Sequence, residues 1–154
     1  MPKYGLLLEN LLPSQETFYL LNHANHMMAN NPDNCFYIFI DDILPPIFQP
    51  LCPIFNSTEI ASFNDATIIT TNISHTLQCL SLINNSKIKF YVRDLEWMRN
   101  STDYFTNIKA FNHHSVEVIA RSYDHAKMIK NYSNINNIRV VKDYNLKDIL
   151  YGHY

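Results

Sequence analysis

The stretch Ser86-Lys87-Ile88-Lys89-Phe90-Tyr91-Val92-Arg93-Asp94-Leu95-Glu96-Trp97 decides the fold. An apolar run of strand length ends directly on an arginine, an acid and the only tryptophan of the chain. In open α/β sheets ligands are held beyond the carboxyl ends of the strands, so this run predicts that Asp94 stands on a functional rim.

Outward from there the same alternation repeats. Residues 4–8 read as a short apolar strand, and Pro13 and Ser14 start a helix with Ser14 as N-cap. Phe18, Leu21, Ala24 and Met28 follow at helical spacing, and Asn30-Asn31-Pro32-Asp33 ends that helix. Cys35-Phe36-Tyr37-Ile38-Phe39-Ile40 is a continuous apolar run, as expected of a strand covered on both faces. Residues 43–56 hold four prolines and predict irregular chain or an edge strand. A short helix near 57–62, strand 67–71, helix 73–84, strand 88–93 and helix 102–112 come next. Strand 116–120, helix 123–132, strand 138–142 and a helical turn around 145–150 complete the order. Strands alternating with helices of this length predict an α/β, Rossmann-like, three-layer domain over residues 1–154, with a mainly parallel sheet of six or seven strands.

Composition narrows the chemistry. With 47% apolar and 17% charged residues, 154 residues are enough for one domain with a full core. Only Gly5 and Gly152 occur, which counts against any glycine-cradled phosphate site. The turn after the first strand, Leu8-Glu9-Asn10-Leu11-Leu12-Pro13, lacks the Gly-x-Gly-x-x-Gly of dinucleotide binding. Cys35, Cys52 and Cys79 fit no zinc spacing and predict reduced thiols of a cytoplasmic protein. Residues 5–12 are apolar but broken by Glu9 and Asn10 and lack a basic lead, so neither a signal peptide nor a membrane partner is expected. The net charge of −2 divides into −6 for residues 1–86 and +4 for residues 87–154, so the second half offers a modest cationic face.

Other side chains are weighed against that rim. Glu16 opens the first helix and shares the edge expected for Asp94. His75 starts a helix after a strand end and is a candidate for substrate contact. Arg93, Arg99 and Arg121 stand at strand-to-helix transitions, where arginine holds either an anionic group or a salt bridge to Asp94, Glu96 or Asp124. Trp97 reads equally as core or as a stacking surface. Asp41-Asp42 reads as a turn cap before it reads as a metal pair. His23 with His26, and His113 with His114, lack the further ligands a metal centre needs, so no metal is expected.

Pro13-Ser14-Gln15-Glu16-Thr17-Phe18-Tyr19-Leu20 is similar to the segment after the first strand of the phage DNA β-glucosyltransferases. Ser86-Lys87-Ile88-Lys89-Phe90-Tyr91-Val92-Arg93-Asp94 resembles the strand that delivers that family's general base. Val116-Glu117-Val118-Ile119-Ala120 and Ile138-Arg139-Val140-Val141 look like the last strands of the same half. The resemblance spans nearly the whole chain but only the acceptor-side, N-terminal domain of a GT-B glycosyltransferase. It implies that Asp94 and Glu16 are catalytic carboxylates; by their own positions, Ser14, His75, Arg93, Trp97 and Arg99 are the candidate substrate-binding residues beside them. It implies a nucleotide-sugar donor such as UDP-glucose, held by a separate donor-binding subunit or by a second copy in a self-dimer, with no further cofactor. Phage DNA is one acceptor it suggests, and the 19 asparagines fit an AT-rich phage genome. The competing expectation is a non-catalytic binding or interaction module that keeps the half fold.

Overall fold

A computed structural model describes residues 1–46, 49–99 and 103–152. Seven strands run in chain order: β1 (Lys3–Leu8), β2 (Cys35–Ile40), β3 (Ile54–Asn56), β4 (Thr67–Thr70), β5 (Lys87–Val92), β6 (Val116–Ala120) and β7 (Arg139–Val140). The helices are α1 (Gln15–Asn30), α2 (Ile73–Leu82), α3 (Tyr104–Asn107), α4 (Lys109–Asn112), α5 (Tyr123–Ser133) and α6 (Leu146–Tyr151), with 3-10 turns at Ser57–Ser62 and Glu96–Met98. The strands form one sheet in the order β3-β2-β1-β4-β5-β6-β7, and every pairing is parallel. This is a Rossmann-like, three-layer α/β domain.

The layers follow from strand alternation. Tyr4, Leu6, Leu8, Phe36, Ile38, Ile40, Tyr91 and Ile119 project to one face, where α1 and α6 close over them through Leu20, Leu21, Ala24, Leu146 and Ile149. On the other face, Phe90, Val92, Val118 and Ala120 meet Ile73 of α2, Phe111 of α4 and Ile129 of α5. Beside them Leu7, Phe39, Ile68 and Ile88 pack with Ile60 and Cys79. Parallel crossovers are right-handed, so a chain that winds from β1 to β2 in one direction and from β4 to β5 in the other must put α1 and α2 on opposite faces. The order reverses between β1 and β4, and in open α/β sheets it is beyond the carboxyl ends at such a reversal that a crevice forms.

Several local expectations shift. Phe18 stands 49% exposed, because the inward stripe of α1 is Thr17, Leu20, Leu21 and Ala24. The helix expected over 102–112 is two short ones, since Thr106, Asn107 and Ile108 are poor helix formers and the chain turns at Ile108 (residue 102 lies outside the described residues). The last strand is two residues long, because left-handed Asp143 and Tyr144 soon turn the chain into α6. The proline-rich segment does end in an edge strand, β3.

Candidate functional site at the strand-order reversal

The helices that reach the rim start on polar caps. The Ser14 hydroxyl accepts the Thr17 N–H to begin α1, and the Asn72 side-chain oxygen accepts the His75 N–H to begin α2. Asn72 lies just past β4, Glu9 just past β1, and Arg93 and Asp94 just past β5. The ends of three strands and two helices therefore deliver polar side chains to one place.

Arg93 sits at the centre. Its Nη1 donates to Glu16 Oε2 at 2.7 Å, and its Nη2 lies 3.6 Å from Glu9 Oε1. Burial works against the guanidinium charge, but Glu16 and Glu9 outweigh it and hold Arg93 above its usual pKa. Glu16 is 8% exposed, and its second oxygen, Oε1, is enclosed without a hydrogen-bond partner. Glu9, Ser14, Glu16, Arg93 and Tyr144 line a cleft of about 390 Å³. Burial first, and then the Glu16 carboxylate, push the Tyr144 phenol upward, and Asp94 adds to the effect.

A second chain of hydrogen bonds leaves Glu9 in the other direction. Asn72 Nδ2 donates to Glu9 Oε1 at 3.5 Å and to His75 Nδ1 at 3.2 Å. The cap bond fixes which end of the Asn72 amide is nitrogen, so His75 Nδ1 must accept and its proton sits on Nε2. That Nε2–H donates to Asp41 Oδ2 at 2.7 Å, past the end of β2. Asp41 is thus held by the buried His75 ring. Close by, Glu96 Oε2 accepts the Ile73 N–H at 2.9 Å at the start of α2, and burial pushes the Glu96 carboxyl above its usual value.

The structure gathers Ser14, Glu16 and Arg93 around the cleft and puts His75 in the adjoining network. Asp94 is half-exposed and is not among the residues lining the cleft; Arg99 Nη2 donates to it at 3.2 Å from a side chain that is 77% exposed. Trp97 lies on the far face, stacked on Tyr132 at 4.2 Å and edge-on to Phe111. Arg121 is exposed and forms no ion pair among the described residues. Sequence reasoning passed over Glu9, Asn72 and Tyr144. The first two follow strands that flank the order reversal, so their position carried the signal; Tyr144 had none. Among the described residues no group of three His, Cys, Asp or Glu is placed to hold a metal ion, and no helix is long and apolar enough to cross a membrane.

Three buried side-chain atoms lack a hydrogen-bond partner among the described residues: Glu16 Oε1, Thr71 Oγ1 and His125 Nδ1. Each belongs to a strand end or a first helical turn on the carboxyl rim. Leaving such an atom unpaired costs about 1–3 kcal/mol, and all three lie on the carboxyl side of the sheet. No family model matches the chain, and no curated protein or solved structure matches it either.

Proposed function

We propose that the chain is the acceptor-binding half of an inverting sugar-transfer system, and that its acceptor is a sugar or related polyol. The observation that carries this is Glu16, a residue with an enclosed, unpaired Oε1, which lines a cleft whose charged lining is two carboxylates and one guanidinium. Carboxylate oxygens accept from hydroxyl groups and repel phosphate, so this lining favours a hydroxyl-bearing ligand over a nucleotide or duplex DNA. Glu16 is a binding residue in this scheme, because Arg93 occupies its other oxygen.

In this scheme Asp94, which follows the cleft-lining Arg93, is the general base and meets the acceptor at the edge of the cleft. Its partner Arg99 is largely in water, where ion pairs are worth about 0–1 kcal/mol, so an acceptor hydroxyl can displace it. As that hydroxyl oxygen bonds to the anomeric carbon of the donor sugar, its proton passes to Asp94 and the bond to the leaving diphosphate breaks. The donor, a nucleotide sugar, is held by a donor-binding unit outside these 154 residues.

Titration NMR tests the binding step with glucose, galactose and their methyl glycosides as probes. We expect millimolar binding that shifts the amides of Glu16, Thr17, Arg93 and Tyr144, weakens in Glu16→Gln and survives in Asp94→Asn. Shifts at these amides from a short DNA duplex, with none from any saccharide, would sink the polyol reading.

A further inference from the structure

We infer that a neighbouring cleft is a second sugar subsite, which holds the next ring of an oligosaccharide whose reacting end lies at Glu16. This rests on the polyol reading above. The cleft encloses about 540 Å³, and its walls include Tyr19, His23, Tyr123, Lys142, Asp143 and Asn145.

The two clefts share a wall. Tyr144 lines the first, while its neighbours Asp143 and Asn145 line the second. The Tyr19 ring, in the second, stacks on Tyr144 at 6.5 Å with 13° between the planes. Glu16, Tyr19 and His23 follow one another at helical spacing on α1, so one stripe of that helix passes through both clefts. From Glu16 to His23 the stripe runs about 10 Å at the α-helical rise. A ligand lying along it meets the carboxylate first and the aromatic rings next.

The chemistry of the second cleft suits an uncharged ring with two unlike sides. Tyr123, in the first turn of α5, is 80% exposed and offers an aromatic face to the C–H side of a sugar. Asp143 and the Asn145 amide nitrogen supply hydrogen-bonding groups for its hydroxyls, since Asn145 uses its oxygen to cap α6. Among the described residues, Lys142 is the only Lys or Arg in the lining, which also holds Asp143 and Asp148, so these residues give no cationic excess to draw a phosphate.

The backbone supports the same assignment. Asp143 and Tyr144 are consecutive non-glycine residues with φ of 52° and 51°. Left-handed backbone costs about 1–2 kcal/mol at each such residue. Here it turns Tyr144 inward, where its N–H donates to the Tyr91 hydroxyl at 3.4 Å, and leaves Asp143 exposed beside the cleft. Strain of this kind is commonly kept at functional sites, and here it lies between the linings of the two clefts.

Titration NMR with glucose and galactose against maltose, cellobiose, gentiobiose and lactose decides the matter. We expect at least one disaccharide to bind about tenfold more tightly than its monosaccharide. Tyr123→Ala, at a position that is 80% exposed, should erase that gain, while Tyr123→Phe should keep it. Monosaccharide binding with no disaccharide gain, or a gain indifferent to Tyr123, overturns the second subsite and leaves the first reading standing. Absence of all saccharide binding overturns both. Binding of a short single-stranded oligonucleotide through Tyr123 and Lys142, without any disaccharide gain, overturns the sugar assignment of this cleft.

Discussion

Replacing Arg93 with methionine would leave Glu16 92% buried with neither oxygen paired. Breaking one side of a buried pair costs about 3–5 kcal/mol, and since the Arg93 side chain is 28% exposed we expect the lower end, about 3 kcal/mol. Urea denaturation should show that loss, and Arg93→Met with Glu16→Gln should recover most of it. A single-variant loss below about 1 kcal/mol would mean that water already serves Glu16. His125 gives a pH prediction. Burial first, then Arg121, hold its pKa below the usual 6.5, so the unfolded chain takes up a proton before the folded one does. Its contribution to stability is therefore full above pH 6.5 and is lost as the pH falls from there toward the depressed folded value. The urea midpoint should drop between pH 7.5 and 5.5 more steeply in the wild type than in His125→Leu; equal slopes would refute this. Some residue detail is legible in the sequence: the Ser14 cap, and Asp94 as a partner of Arg99. The partner of Arg93 is not, because Glu16 lies 77 residues away and no local pattern encodes a contact across the sheet.

At the scale of elements, polar caps replace glycine. Ser14, Asn56, Asn72, Asp103, Ser122 and Asn145 each accept a backbone N–H at a helix start. Loss of an ordinary cap costs about 1 kcal/mol, and we expect that of Ser122→Ala. Asn72→Ala should cost about twice as much, because the same amide also holds His75 Nδ1 and Glu9. Equal thermal shifts for the two variants would show that the Asn72 network contributes nothing beyond the cap. Element positions are legible because apolar runs and caps are local signals; β1, β2 and β6 lie within a residue or so of where the spacing puts them. The facing of α1 is not. Phe18 is as apolar as Leu20, and only the sheet beneath the helix decides which of them is covered.

For the whole molecule, alternation in the sequence predicts a parallel sheet with two helical layers, and the structure has both. Strand order is less legible. It arises from how right-handed crossovers can pack, which constrains any α/β chain and leaves little trace in individual residues. The order matters to function all the same, because it brings the residue after β1, Glu9, beside the one after β5, Arg93, across the end of β4. The first cleft is lined by the start of α1 and Tyr144, the second by Tyr19 and His23 further along the same helix, so the helix that covers one half of the core also walls the proposed ligand groove.

The parallel sheet also sets the pace of folding. Every ladder in it is parallel, so none can form as a hairpin on the microsecond scale. β1 is central in the finished sheet, yet one of its edges pairs Tyr4 with Thr67, a closure that cannot occur until almost half of the chain has been made. During synthesis the apolar side chains Leu6, Leu7 and Leu8 must wait with that edge open. Non-local pairing of this kind folds in milliseconds to seconds, and an unpaired apolar edge invites another chain in the interval. Until β4 is available, that edge of β1 has no native partner strand.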